Sequence, residues 1–278
     1  MHVVNLPWYD LPELERETNA LWAGIARHLR KEGIDAPDRL DRDTEYDAQW
    51  LEPSLLFSQA CGYDVLYDHS SYLQVIATPR YAARGCEGAC YRSAIVVREN
   101  GHAPGIAELK GKRAVVNDAT SHSGTNALRA MVAPHAKGGR FFSEVKVSGA
   151  HTESLAMLAC NEADVACIDL VVWDLCERAR PAALKGLRKL AETEKAPAPP
   201  FVTARNTSPE MLKRLRMALF NAMADASLTS AREALLLDGV ELLPPSAYNE
   251  LWLFEDIARQ HSYFELPAPR TSPLSRVP

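Results

Sequence analysis

Three short apolar runs decide the fold of this chain: RAVVND (113–118), EVKVSG (144–149) and DVACID (164–169). Each has the length of a strand, and the first two are rich in Val. The two segments between them, SHSGTNALRAMVAP (121–134) and HTESLAMLAC (151–160), carry apolar residues at helical spacing. Two successive strand–helix–strand units with short loops predict a parallel sheet with right-handed crossovers.

Polar side chains follow each predicted strand at one edge of this sheet, where open α/β sheets bind ligands. Helix starts offer backbone N–H groups and the positive end of the helix dipole, and a glycine lets the backbone approach a ligand. The pattern therefore predicts an anion site built without Lys or Arg, with ordinary N-capping by Ser and Thr as the alternative. The residues at this edge are Ser121, Ser123, Gly124, Thr125, His151 and Asp169.

Composition limits the class of protein. Of the 278 residues, 47% are apolar and 24% charged, which is enough apolar material for one large or two smaller globular domains. The net charge of −5 argues against a general nucleic-acid surface or an acidic membrane surface. A nucleic-acid partner is therefore not expected. No apolar run approaches the length of a membrane-spanning helix, so membrane insertion is not expected either.

The N-terminus, MHVVNLPWYD (1–10), lacks a basic region followed by a long apolar region. The expected location is therefore periplasmic if a signal peptide was removed, and cytoplasmic otherwise. Cys86 and Cys90, in GCEGAC, are candidates for a local disulfide. A metal site is not expected there, because no further ligands accompany them, and no cofactor is predicted.

The flanks of the central unit predict a second α/β lobe. Strands are expected at 2–7, 55–60, 73–78 and 91–98, a helix over 11–31, and a strand in FVTARN (201–206). From Ser208 the chain is expected to be helical, with further helices near 229–237 and 246–261, and the tail from Pro267 is expected to be poorly ordered.

The predicted domains are a discontinuous first lobe, 1–98 plus 195–278, and a second lobe, 99–194, that carries the anion-binding loops. Two chain crossings would join them, near 97–99 and 193–200. Two lobes with two connections are typical of a clamp that closes on a ligand by a hinge motion.

Three segments of the sequence together resemble a known protein family. YRSAIVVRENGHAPGIAELKGKRAVVNDATSHSGTNALRA (91–130), SGAHTESLAMLACNEADVACID (148–169) and LLFSQACGY (55–63) are similar to segments of the phosphate-, phosphite- and phosphonate-binding solute receptors of ABC transporters. The resemblance covers roughly residues 1–240. It implies the type II periplasmic binding protein fold, two doubly wound α/β lobes around a cleft.

The resemblance also implies the ligand contacts. Ser121, Ser123, Gly124, Thr125 and His151 would contact a small phosphorus oxyanion from one lobe. Hydroxyl donors would come from Tyr63 and Tyr91, and Tyr9 lies where the first strand opens into the expected cleft. Asp169 would accept a proton of the ligand; capping of the next helix is the alternative. Half-buried packing is the alternative for the tyrosines.

The expected function is capture of phosphate, phosphite or a phosphonate, with an ABC transporter permease as partner and the protein as a monomer. A cytoplasmic ligand sensor is one alternative. The other is an enzyme on the same scaffold, since Ser, His and Asp meet at this edge. SHSGT lacks the sharp G-x-S-x-G turn of a nucleophile elbow, so catalysis is not expected.

Overall fold

A computed structural model of the chain describes residues 2–67 and 69–266. The tail from Pro267, for which disorder was predicted, lies outside these residues. The chain forms two compact units, one comprising Met1–Cys90 and Pro197–Ala247, the other Tyr91–Ala196 and the chain from Tyr248. Within the described residues, no helix is both long and apolar enough to span a membrane.

The described residues contain both strands and helices. The strands are β1 (Val3–Val4), β2 (Leu55–Gln59), β3 (Leu73–Tyr81), β4 (Cys90–Tyr91), β5 (Ser93–Arg98), β6 (Arg113–Val116), β7 (Glu144–Val147), β8 (Val165–Asp169), β9 (Leu187–Glu192), β10 (Ala196–Pro197), β11 (Phe201–Ala204) and β12 (Leu237–Glu241). The helices are α1 (Glu15–Lys31), α2 (Tyr46–Trp50), α3 (Gly62–Leu66), α4 (Ala127–Val132), α5 (His151–Ala159), α6 (Leu170–Ala179), α7 (Pro209–Ala224), α8 (Thr229–Ala234) and α9 (Glu250–Gln260).

The first unit is built on a mixed five-stranded sheet in the order β1-β2-β11-β3-β12. β1 runs parallel to β2, whereas β11 and β12 pair antiparallel with their neighbours. Helix α7 begins at Ser208, as the sequence predicted: the Ser208 hydroxyl accepts a hydrogen bond from the Met211 amide at 3.2 Å, and Pro209 occupies the first turn.

The second unit has a five-stranded sheet in the order β7-β6-β8-β5-β9. β6 runs parallel to both β7 and β8, so the two predicted strand–helix–strand units are confirmed. β5 runs antiparallel to β8 and β9. At the amino edge of this sheet Asp164 accepts hydrogen bonds from Arg98 at 2.8 Å and from the Arg113 backbone and guanidinium, and these bonds lower the pKa of its carboxyl. The mixed α/β class expected from the sequence is confirmed.

The structure divides the chain differently from the predicted lobes. The strand YRSAIVVR was expected in the first lobe, but β5 belongs to the second unit, because Ser93–Val97 pair with Asp169–Val165 of β8. The chain from Tyr248 was also expected in the first lobe. It lies in the second unit instead, because Ala258, Tyr263 and Leu266 are buried in that unit's core.

Within the described residues the chain passes between the units three times rather than the predicted two, and of the predicted passages the one near 193–200 lies where it was expected. The three passages lie at Cys90–Tyr91, at Ala196–Pro197 and at Ala247–Tyr248. The first two passages coincide with β4 and β10, which pair as a separate two-stranded sheet.

Strand β12 was missed by the sequence analysis, which expected only helices after Ser208. Asp238 and Gly239 in its centre are uncommon in strands and hide the pattern. Pairing decides the structure here, since Leu237 and Val240 lie opposite Tyr81 and Pro79 of β3. The preceding helix accordingly ends at Ala234 instead of continuing to residue 237.

Candidate functional site

The carboxyl edge of the second unit's sheet begins with a tight turn after β6. Asp118 accepts hydrogen bonds from the Thr120 amide at 2.7 Å and from the Thr120 hydroxyl at 2.6 Å. The Thr125 hydroxyl donates back to the Asp118 carbonyl. These bonds fold residues 118–125 onto the strand end, as expected for an Asp-initiated turn.

The SHSGT motif (121–125) forms an unusual helical turn rather than a regular helix start. Residues 122–126 adopt π-helical geometry: the Asn126 amide donates to the Ser121 carbonyl at 3.0 Å, and the Ala127 amide donates to His122, each five residues along the chain. Single π-turns are frequent at functional sites. Residues 122–126 are all buried. We refer to residues 121–125 as the SHSGT turn.

Ser121 is the N-cap of this turn. Its hydroxyl oxygen accepts the Gly124 amide hydrogen at 3.1 Å, so the capping alternative describes what this residue does in the structure. A hydroxyl that accepts one hydrogen bond still has its own hydrogen to donate. The Ser121 oxygen lies 3.4 Å from the Ser123 oxygen, which brings the two hydroxyls together at the same edge.

Gly124 is required because of Asn117, the residue after β6. A Cβ atom at position 124 would lie 1.8 Å from Asn117 Oδ1 and 3.0 Å from Asn117 Cγ. The sequence predicted that Gly124 permits close approach of a ligand. The structure shows that it already permits close approach of the neighbouring strand end.

The second loop lies beside the first because both are tied to the end of β6. The Ser148 amide donates to the Val116 carbonyl and the Gly149 amide to the Asn117 carbonyl, both at 2.9 Å. Gly149 has a φ of 93°, a backbone conformation that favours glycine. This loop delivers His151 to the first residue of α5.

Ser123 and His151 join the two loops. The Ser123 hydroxyl lies 2.8 Å from His151 Nε2, a hydrogen bond between side chains 28 positions apart. Burial lowers the pKa of His151 to about 4, and a backbone hydrogen bond with Cys167 acts in the opposite direction. The imidazole is therefore neutral near pH 7, with one nitrogen as donor and one as acceptor.

Asp169 and Tyr91 also belong to the second unit. Asp169 is buried at the end of β8, and its Oδ1 accepts the Val171 amide hydrogen at 2.7 Å. It therefore caps α6, which was the alternative role given for this residue from the sequence. Tyr91 is buried, and its ring centroid lies 6.1 Å from that of His122 within the SHSGT turn. The edge thus collects hydroxyls, one neutral imidazole and one carboxylate.

Residues 55–248 match the family described as ABC transporter, phosphonate, periplasmic substrate-binding protein. The chain belongs to this family. Its members are substrate-binding proteins of ABC transporters, which confirms the resemblance inferred from the sequence. No curated protein matches the chain by sequence comparison.

Solved structures with 13–15% identity share the fold. PhnD1 from Prochlorococcus marinus in complex with methylphosphonate matches with a TM-score of 0.72 and 15% identity, covering 95% of this chain and 98% of that chain. A binding protein component of an ABC phosphonate transporter from Pseudomonas aeruginosa matches with a TM-score of 0.74 and 13% identity, over 94% and 87%. A Xanthomonas citri protein bound to ATP has a TM-score of 0.69 and 15% identity, over 94% and 97%. The family member described here has the type II periplasmic binding protein fold.

Two further predicted contacts, Tyr9 and Tyr63, lie in the first unit. Tyr9 has a φ of 66° and packs edge-on against Tyr81 at 5.0 Å, beside a small, mainly apolar cavity. Tyr63 lies in α3 and packs edge-on against Tyr67 at 5.1 Å. Both are largely buried, so each is at least a packing residue, and their contact with ligand stays a prediction.

Four polar residues behind the site were missed by the sequence analysis: Asn117, His122, Asn126 and Arg129. Three of them lie in or just after the SHSGT motif, but a helical pattern does not indicate which polar residues turn inward. Asn126 and Arg129, spaced by three, lie on one helical face, and this spacing was the only available signal.

The cysteines and acidic residues add no metal site in the part of the chain that the structure describes, where no group of three or more His, Cys, Asp or Glu could hold an ion. Cys86 and Cys90 are both thiols. They flank a tight turn in which the Glu87 and Cys90 backbones exchange two hydrogen bonds of 3.1 Å.

Proposed function

We propose that this protein captures a small phosphorus oxyanion, namely phosphate, phosphite or a phosphonate, at the edge formed by the SHSGT turn and His151. One observation carries the proposal. The 2.8 Å Ser123–His151 contact brings the polar groups of two consecutive helix starts together at the carboxyl edge of the sheet. Family membership and the methylphosphonate found in PhnD1 support this class of ligand.

The chemistry of these groups suits an oxyanion. Hydroxyl hydrogens of Ser121 and Ser123 can donate to phosphoryl oxygens without adding a charge that must be desolvated. A bound anion next to His151 favours the charged imidazolium, which then donates as well. Asp169 would accept the hydrogen of a protonated ligand oxygen, which would select singly protonated ligands.

Binding without catalysis is part of the proposal. A serine hydrolase orients its histidine with a carboxylate on the ring nitrogen remote from serine. Here no carboxylate hydrogen-bonds to His151 Nδ1 among the described residues, and Asp169 is engaged by the Val171 amide. We further propose a monomer that delivers its ligand to the permease in the periplasm; a sensor would use the same site with a different partner.

The test is a thermal-shift screen of the purified protein against phosphate, phosphite, methylphosphonate, aminoethylphosphonate, sulfate and carboxylates. A ligand at 100 times its Kd adds about 2.7 kcal/mol to the free energy of unfolding. For a chain of this size the melting temperature should rise by roughly 5–10 °C. A rise with carboxylates alone, or with no compound, would contradict the proposed ligand class.

Ser123→Ala and His151→Ala should each weaken oxyanion binding by about 1–3 kcal/mol, because each removes one donor from a buried site. Isothermal titration with the best ligand of the screen measures the change. Ser143→Ala is the matched control, since Ser143 is exposed and precedes β7, at the opposite edge of the sheet from both loops. Unchanged affinity in both site variants would place the ligand elsewhere.

A further inference from the structure

We propose that the C-terminal segment, residues 248–266, holds the SHSGT turn in its anion-binding conformation through Asn126. Asn126 is thus a positioning residue. The part of this inference that concerns affinity rests on the proposed function, whereas the part that concerns the conformation of the turn does not. Three sets of contacts, all within the second unit, support this inference.

The side chain of Asn126 is 1% exposed, and both the nitrogen and the oxygen of its amide form hydrogen bonds. Its Nδ2 donates to the Leu251 carbonyl at 3.2 Å and lies 3.1 Å from His122 Nδ1. Its Oδ1 accepts from an Arg129 guanidinium nitrogen. A flipped amide would direct oxygen at the Leu251 carbonyl and N–H groups at the guanidinium, so only one orientation fits.

Arg129 extends the connection to the end of the segment. It is 2% exposed, and its second terminal nitrogen donates to the Leu266 carbonyl at 3.4 Å. Breaking a hydrogen bond of a buried guanidinium is costly, so these two bonds restrain both the Asn126 amide and the backbone near Leu266. The turn and both ends of the C-terminal segment are therefore linked by one polar network.

The segment is itself anchored independently of the turn. The Glu265 carboxylate accepts from the Phe141 and Phe142 amides and from the Tyr263 hydroxyl, each at 2.9 Å. Tyr263 is fully buried in the core of the unit. Nearer the turn, the Phe254 ring packs edge-on against the His122 ring at 4.7 Å.

The SHSGT turn needs such support because its own residues do not favour its geometry. Ser, His, Gly and Thr are weak helix formers, and the π-turn bonds close wider rings than those of an α-helix. Contacts from outside the turn must therefore select this conformation. Asn126 is the last residue of the π-turn and the first that contacts the C-terminal segment, which makes it the point of attachment.

The test measures amide hydrogen exchange over 121–126 in the ligand-free protein for Asn126→Asp, Glu265→Ala and Asp164→Asn. Asn126→Asp keeps the acceptor for Arg129 and removes the donor to Leu251. Glu265→Ala loosens the segment at a position without a contact to the turn. Asp164→Asn is the matched control, because it weakens ion pairs at the opposite edge of the same sheet. If Asn126→Asp does not fold, Asn126→Leu takes its place.

We expect exchange over 121–126 to be at least ten-fold faster in Asn126→Asp and Glu265→Ala, and unchanged in Asp164→Asn. Equal exchange in Asn126→Asp and wild type, or an equal increase in Asp164→Asn, would overturn the proposal. Titration with methylphosphonate and inorganic phosphate should show an affinity at least ten-fold weaker in Asn126→Asp; wild-type affinity there would overturn the link to binding. If the wild type binds neither anion, the proposed function fails, and the exchange data still decide the role of Asn126.

Discussion

Gly124→Ala should abolish measurable oxyanion binding and lower the free energy of unfolding by about 1–3 kcal/mol, the usual cost of overpacking a filled site. The new methyl group would lie 1.8 Å from Asn117 Oδ1, far inside van der Waals contact. Either Asn117 rotates away from the strand end or the SHSGT turn moves. Movement of the turn is the expected outcome, and it displaces the Ser123 hydroxyl from His151. Chemical denaturation and isothermal titration measure the two effects.

A double-mutant cycle isolates the cause of this loss. Asn117→Ala removes the atoms that clash, so Gly124→Ala should cost much less in that background. Gly105→Ala serves as a control glycine substitution, since its Cβ would meet only the flexible Glu108 carboxylate at 3.3 Å. A Gly124→Ala protein that binds oxyanion like wild type would show that the turn tolerates displacement and that the site lies elsewhere.

Acidification from pH 7 to pH 5 should lower the free energy of unfolding by about 2 kcal/mol for each of two buried histidines, His122 and His151. Burial lowers the pKa of His122 to about 3, with Arg129 contributing, and that of His151 to about 4. In the unfolded chain both imidazoles titrate near 6.5. The unfolded state therefore binds more protons below pH 6.5, and stability falls with pH until the folded-state pKa values are reached.

Denaturation curves between pH 7 and pH 5 test this prediction. His122→Gln and His151→Gln should each remove about half of the pH dependence, whereas His102→Gln, at an exposed position, should keep all of it. An undiminished slope in both buried-site variants would mean that other groups govern the acid response. Saturating oxyanion should also reduce the slope, because a bound anion favours protonated His151.

The sequence was most informative where local pattern and topology coincide. The alternation of apolar runs and amphipathic segments over residues 113–169 correctly predicted β6, β7, β8 and their parallel order. Parallel order in turn placed Ser123 and His151 at one edge, and the structure brings them into hydrogen-bonding contact. Such inferences succeed because the crossover rule converts sequence order directly into spatial order.

Contacts between distant segments could not be predicted in the same way. β12 forms because β3 provides a pairing partner, and the C-terminal segment is buried because its apolar side chains complete a core formed by residues between Ile95 and Cys167. The π-turn depends on bonds that Asn126 makes with Leu251. No local pattern in SHSGT contains that information. The Ser and Thr residues of the motif predicted only an ordinary helix start.

The discontinuity of both units determines the order in which a growing chain can complete them. The first unit needs β11 and β12, so nothing made before residue 241 can close its sheet. The second unit can be completed only later still, because Tyr263 and Leu266 are part of its core. During synthesis, apolar surface around Leu128 and Phe141 stays exposed until Tyr263 and Leu266 have emerged. A nascent chain that stalls before residue 263 should therefore be a substrate for chaperones and proteases rather than a folded domain.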